Sequence, residues 1–394
     1  MEKAAEANRK LAASEMNAGK TVVKSKPASI EVGSTSVCNM NPPCVMCGKW
    51  TGSDPSGRRG MHLGKDIVEL IAPDLDKALV ISLHGTGEPL ANPHLFDIVK
   101  AAPPEAEIRF NTNGLLLDDR KADAVIAAKV KRIGFSLDAA TPEVYKKIRG
   151  QDFGKVVGNI RRLKEKKDAA GARFPDMVLN MVLMRENLGE IPKFFELAKG
   201  LGAGVYMNHM NEGNDYRLDV NGWTFDYEAQ QCSHDPEYHD RMVEEAFRLS
   251  AAYKVPFEFV GKRGLAPAKT EDTRPMAAAP AVKKEFFCPR PWQTMVVNEY
   301  GAVSVCCHQT EPVGYLRPGL KPGAGGLFRE LPYMLLKKAY YIVKGRPPWS
   351  AAMRVGIMDI WNSGEMKRLR EKMLAHEVPD ICKSPNRCIY RDRY

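Results

Sequence analysis

The chain has 394 residues, 44% of them hydrophobic, and 58 Lys and Arg against 48 Asp and Glu give a net charge of +10. That length carries one large core plus a smaller domain. No apolar run reaches the roughly 18–20 residues that span a bilayer, the N-terminus lacks a signal-peptide stretch, and nine cysteines are too few for a disulfide scaffold.

These features predict a cytoplasmic protein whose thiols stay reduced. The cationic excess reads as a solvated surface or as compensation for an anionic group. No Arg-rich tract or stacked-aromatic signature points to nucleic acid.

Residues 1–29, rich in Ala, Lys and Glu, read as a loose or helical leader with no core face. From residue 30 to 261, strand-like runs alternate with amphipathic helical stretches. Strands are predicted at 31–37, 78–83, 107–111, 132–137, 177–183 and 205–209. Helices are predicted at 65–71, 93–101, 118–128, 142–148, 153–168, 188–201 and 236–252. Such alternation implies β-α units and a parallel sheet, either an open partial barrel or a doubly wound sheet. Residues 262–287 lose the periodicity and read as a linker. Residues 288–394 form a second unit of short strands, Gly and Pro turns and five further cysteines. Within it, the aromatic and basic stretch 327–349 reads as a helix packed on the main domain.

The most informative run is STSVCNMNPPCVMCG, with Cys38, Cys44 and Cys47 at C-x5-C-x2-C spacing. Three thiolates on one turn-rich loop suit three irons of a four-iron cluster, with the fourth iron open to a small molecule. Thiolate sets also select zinc. Tetrahedral zinc takes a fourth protein ligand, and the next histidine is His62. At this point iron–sulfur, zinc and structural thiols all stand.

Three strand ends follow with polar, glycine-rich signals. The first is His84-Gly85-Thr86-Gly87-Glu88-Pro89, where glycines let the backbone approach a ligand. The second is Asn111-Thr112-Asn113-Gly114. The third is FSLDAATPEVYKKIRG, in which Ser136 supplies a hydroxyl and Arg149 a guanidinium fork for a carboxylate. In α/β folds, ligands sit at strand C-terminal ends. Asn180 in the fifth strand reads equally as a ligand contact or as a core-edge amide, and Asn208, His209 and Met210 are candidates for the rim of the site. Cys232 reads as an ordinary thiol.

Taken together, these motifs resemble the radical SAM enzymes. That family has C-x3-C-x2-C on the cluster loop and a GGEP-type motif after the second strand, here Gly85-Thr86-Gly87-Glu88-Pro89. The chain departs in its longer first gap and in Met46, where an aromatic residue is usual. The resemblance implies an α/β fold with a partial (β/α)6 TIM-like barrel. It implies a [4Fe-4S] cluster on Cys38, Cys44 and Cys47 that binds S-adenosylmethionine (SAM). It further implies that Glu88 and the Gly85–Gly87 backbone hold the amino group of SAM, and that Ser136 and Arg149 hold its carboxylate. Reductive cleavage to a 5′-deoxyadenosyl radical would abstract a substrate hydrogen, with electrons from a donor such as flavodoxin or ferredoxin.

The C-terminal cysteines look like a SPASM or twitch domain with fewer ligands. Cys288, Cys306, Cys382 and Cys388 suffice for one auxiliary [4Fe-4S] cluster or a zinc site, with Cys307 spare. The substrate is expected to be a small molecule that is oxidised or rearranged, because 29 residues before Ile30 are too few for a peptide-binding domain. A ribosomal-peptide maturase is the alternative reaction class, and a non-catalytic iron–sulfur or zinc scaffold the alternative outside catalysis.

Overall fold

The computed structural model describes residues 2–48, 60–211, 214–261, 287–306, 312–316 and 355–382. Cys307, Cys388, the stretch 327–349 and nearly all of 262–287 lie outside the described residues.

The elements run α1 (Glu2–Asn17), β1 (Ser29–Gly33), α2 (Lys65–Ile71), β2 (Val80–His84), α3 (Leu95–Ala101), β3 (Glu107–Thr112), α4 (Asp119–Ala127), β4 (Arg132–Ser136), α5 (Pro142–Arg149) and α6 (Phe153–Ala169). There follow β5 (Asp176–Leu183), α7 (Ile191–Leu201), β6 (Gly204–His209), β7 (Arg217–Val220), β8 (Trp223–Asp226), α8 (Pro236–Tyr253), β9 (Phe257–Val260), the helical turn Arg290–Gln293, β10 (Thr294–Val297), β11 (Ala302–Ser304) and β12 (Gly314–Tyr315). The helices Ile357–Trp361 and Gly364–Leu374 come last.

One ten-stranded sheet has the order β12-β11-β10-β1-β2-β3-β4-β5-β6-β9. From β10 to β9 every neighbouring pair is parallel, and the pairs β10–β11 and β11–β12 are antiparallel. Parallel sheets usually bury both faces and read as continuous apolar runs. Here β2 and β3 alternate instead, with Ile81, Leu83, Ile108 and Phe110 buried and Ser82, His84, Arg109 and Asn111 on the other face. The apolar face packs on helices. The polar face lines a cavity of about 490 Å³ touched by β1 through β6 and by β9. Strands from β1 at one end to β9 at the other share that cavity, so the sheet curls around it.

Two expectations change. The predicted strand 31–37 is shorter, because β1 ends at Gly33. Residues 34–37 are held by the end of β2 and the turn after it: Ser34 N donates to His84 O at 2.5 Å, Gly87 N to Thr35 O at 3.0 Å and Glu88 N to Val37 O at 2.8 Å. The N-terminal segment is also not without a core face. Ala5 and Ala12 of α1 are 1% exposed, and Glu15 is buried, where it accepts from Lys24 N and Ser25 N. Trp292 and Trp361 donate their indole N–H groups to Lys20 O and Ser25 O, and Arg370 donates to Pro291 O and Thr21 O. An alanine stripe has weak hydrophobic contrast, so its buried face leaves little mark on the sequence pattern. Among the described residues, no helix is long and apolar enough to cross a membrane.

Candidate active site

The cysteine loop leaves β1 at the C-terminal edge of the sheet. Cys44 is buried, Cys38 and Cys47 are half-buried, and none forms a disulfide. Cys47 N donates to Cys44 O at 2.9 Å, which closes the turn. The loop is pinned from two sides. Val45 N donates to Ile148 O at the end of α5, and Tyr216 Oη donates to Val45 O at 2.8 Å. Below it lies a separate apolar cluster of Val45, Ile148, Met184, Met210, Phe225 and Tyr227. The β7–β8 hairpin that supplies Phe225 was not anticipated. The available signal was Asn221-Gly222 between alternating residues, a hairpin turn with both residues at positive φ (59° and 72°).

The Gly85–Glu88 turn is built around backbone contact with this segment. A Cβ on Gly85 would lie 2.3 Å from Thr35 O, and one on Gly87 2.2 Å from Val37 O. No side chain fits there, so the glycines let the turn after β2 seat the segment that leads to Cys38. Gly85 and Thr86 are exposed at the rim, whereas Glu88 is buried. Glu88 Oε1 accepts from Thr112 Oγ1 at 2.6 Å and Leu90 N at 3.1 Å, and Oε2 accepts from Asn113 N at 2.7 Å. Burial pushes its carboxyl above the usual value, although those donors favour the charged form. Asn113 in turn donates from Nδ2 to Asn39 Oδ1, beside Cys38.

Arg149 ends α5 and is buried. Its Nε donates to Asp138 Oδ2 at 2.5 Å, a terminal nitrogen pairs with the same oxygen, and Nη1 donates to Cys44 Sγ at 3.1 Å. Burial opposes its charge, but Asp138 and Cys44 outweigh that and hold its pKa above the ordinary value. Asp138, to which no spacing in the sequence assigns a role, is fully buried at φ 63°. Asp and Asn tolerate that left-handed conformation. Its Oδ1 accepts from Val182 N at 2.8 Å.

Ser136 and Asn180 sit opposite each other in the β4–β5 register, half-buried. Asn180 Nδ2 donates to Asn111 Oδ1 at 3.1 Å across Gly134, which is glycine because a Cβ would collide with both amides. Of the other rim candidates, Met210 packs under the cysteine loop, and His209 turns to His239 of α8, with their Nε2 atoms 2.8 Å apart. Cys232 is buried, and burial pushes its thiol up to about 12.

The donor set fits an iron–sulfur cluster. Burial raises the Cys44 thiol, Arg149 opposes this, and the nearby sulfurs of Cys47 and Cys38 add to it, so the three sulfurs act on one another. Among the described residues no three His, Cys, Asp or Glu side chains group closely enough for one metal ion; a cubane spreads its thiolates over separate irons. Beside them, the buried Tyr145 hydroxyl has no hydrogen-bond partner among the described residues. In the C-terminal segment, Cys288 is buried and Cys306 and Cys382 are partly buried against the main core.

Comparison with known proteins supports this reading. Residues 32–198 match the model of the radical SAM superfamily. An AdoMet-dependent heme synthase of Methanosarcina barkeri is 34% identical over 177 residues, 44% of this chain and 47% of the relative. Mycofactocin maturase MftC of Mycobacterium ulcerans is 29% identical over 178 residues, 45% of each chain. The chain thus spans about half the length of these curated relatives. Among solved structures, Streptococcus suis SuiB bound to precursor peptide SuiA matches with a TM-score of 0.55 at 12% identity, over 92% of this chain and 70% of that one. At that identity the likeness speaks for the fold, a partial TIM-like barrel. The likeness to the radical SAM superfamily thus rests on residues 32–198, and that family of enzymes uses a [4Fe-4S] cluster and SAM as cofactors.

Proposed function

We propose that this protein is a radical SAM enzyme that abstracts a hydrogen atom from a substrate held in the cavity of the curled sheet. The observation that carries this reading is the meeting of the cysteine loop, the glycine turn and Arg149 at one edge of the sheet. Cys38, Cys44 and Cys47 would hold the cluster. The backbone of the Gly85–Gly87 turn, exposed at Gly85 and Thr86, would take the amino group of SAM, and Glu88 would act by fixing that turn against Asn113. Asn180, which lines the cavity, would reach the ribose, and Ser136, its partner in the β4–β5 register, would hold the carboxylate. Arg149 has further N–H donors than its contacts with Asp138 and Cys44 use, and these would reach the carboxylate. When bound, the cluster and SAM supply one-electron cleavage to a 5′-deoxyadenosyl radical.

The cavity volume suits a small polar molecule or one peptide side chain. A small-molecule oxidation or rearrangement is our first reading. Similarity to a mycofactocin maturase and to the fold of SuiB favours peptide modification as the second. We divide the chain into a leader (1–29), barrel (30–261), linker (262–287) and auxiliary-cluster unit (288–394). In that last unit Cys288, Cys306, Cys382 and Cys388 would bind a second [4Fe-4S] cluster, and a flavodoxin or ferredoxin would supply electrons.

The test is anaerobic incubation with SAM and dithionite. The wild type should release 5′-deoxyadenosine, and a Cys38→Ala/Cys44→Ala/Cys47→Ala variant should release none. Product from the variant would sink the assignment. Deuterium transfer into 5′-deoxyadenosine from a labelled small molecule or a labelled peptide would decide between the two substrate classes.

A further inference from the structure

The Asp138–Arg149 pair is more than a structural ion pair, because of where its ends point. Asp138 is fully buried and Arg149 nearly so. Such a pair costs desolvation and is often no more stable than apolar residues of the same volume. Arg149 spends one nitrogen on Cys44 Sγ at 3.1 Å. Asp138 is held behind it by Val182 N, and Asn187 Nδ2 donates to the Asp138 backbone carbonyl. The pair is therefore a fixed dipole with its cationic end against one cysteine sulfur. One helical turn earlier on the same buried face of α5 stands Tyr145, whose hydroxyl is buried and unpartnered among the described residues.

We infer that Arg149, oriented by Asp138, is a donor to the Cys44 side of the cluster that raises its reduction potential, and that the buried, unpartnered Tyr145 hydroxyl adds its dipole from the same face of α5. This rests on the assignment of Cys44 as a cluster ligand. Adding an electron adds negative charge to the cluster and its sulfurs. A cation and hydrogen-bond donors at a ligating sulfur stabilise that reduced state, and hydrogen bonds to sulfur and net charge are known determinants of cluster potential. The carboxylate of Asp138 opposes Arg149 from farther away, so it limits the shift while fixing the guanidinium. Arg149 and Asp138 are thus positioning and electrostatic residues with opposite signs of effect.

The experiment is an EPR-monitored redox titration of the reconstituted protein without SAM, with iron content measured for each variant. Arg149→Met should displace the reduction equilibrium toward the oxidised cluster by about tenfold, roughly 59 mV for one electron. Arg149→Lys, which keeps a charge, should lie between Arg149→Met and wild type. Asp138→Asn removes the opposing charge and keeps a residue suited to positive φ, so it should shift the potential upward. Tyr145→Phe should shift it downward. A merely structural pair would move Arg149→Met and Asp138→Asn in the same direction, and that result, or no shift in either, overturns the inference. An unchanged potential in Tyr145→Phe removes the tyrosine from it. If Arg149→Met fails to hold iron, the opposed shifts of Asp138→Asn and Tyr145→Phe decide alone. Absence of any SAM-motif cluster in the wild type would instead refute the site assignment, so the two failures are distinguishable.

Discussion

Changing Glu88 to Ala should destabilise the protein before any cofactor is added. The carboxylate takes three donors: the hydroxyl of Thr112 and the backbone amides of Leu90 and Asn113. The hydroxyl keeps a second role, accepting from Gly114 N at 3.0 Å. The two amides would lose their partner in a site where Glu88 itself is 2% exposed. An unsatisfied buried group costs about 1–3 kcal/mol. Removing a carboxylate whose burial is itself unfavourable returns part of that, so a net loss of about 3 kcal/mol is expected. Urea denaturation of the apoprotein at pH 7 measures it. Glu88→Gln adds a pH test. The folded carboxyl has a raised pKa, so above the ordinary value of 4.5 the folded state keeps a proton that the unfolded state has lost. Wild-type stability relative to Glu88→Gln should therefore be greatest at low pH and fall as pH rises through the folded value. Glu88→Ala within about 0.5 kcal/mol of wild type, well below the cost of one orphaned group, would refute the brace.

Gly87→Ala should cost about 1–3 kcal/mol, the range for overpacking, since its Cβ would sit 2.2 Å from Val37 O. It should also weaken SAM binding by calorimetry, because the displaced segment leads into Cys38; unchanged stability and affinity would show that the turn relaxes freely. Asp138→Ala should be less stable than Asp138→Asn by about 1–2 kcal/mol from the left-handed backbone alone, read from urea midpoints. Reconstituted wild type should hold about eight irons and the Cys38/Cys44/Cys47 triple variant about four. Zinc in place of that second share would make the C-terminal site structural.

The proposed chemistry of this protein is written locally in its sequence. C-x5-C-x2-C, GTGEP, TNG and SLD…IRG are contiguous runs because a loop at a strand end needs particular residues at fixed offsets. The strand and helix order was legible for the same reason, since period-2 and period-3.6 patterns are local. Helix 65–71 and strand 177–183 lie within a residue of where the periodicity puts them. Pairings between distant segments were not legible. Glu88 reads as a ligand residue, yet its oxygens are taken by Thr112 and Asn113 from another strand end. Arg149 reads as a free fork, yet the fold sets Asp138 on one side of it and Cys44, 105 residues away in sequence, on the other. The alanine face of α1 and the Tyr216 clamp on the cysteine loop were equally silent. Each depends on which elements the curled sheet brings together, and side-chain pairing across a fold carries no spacing that a single chain can show.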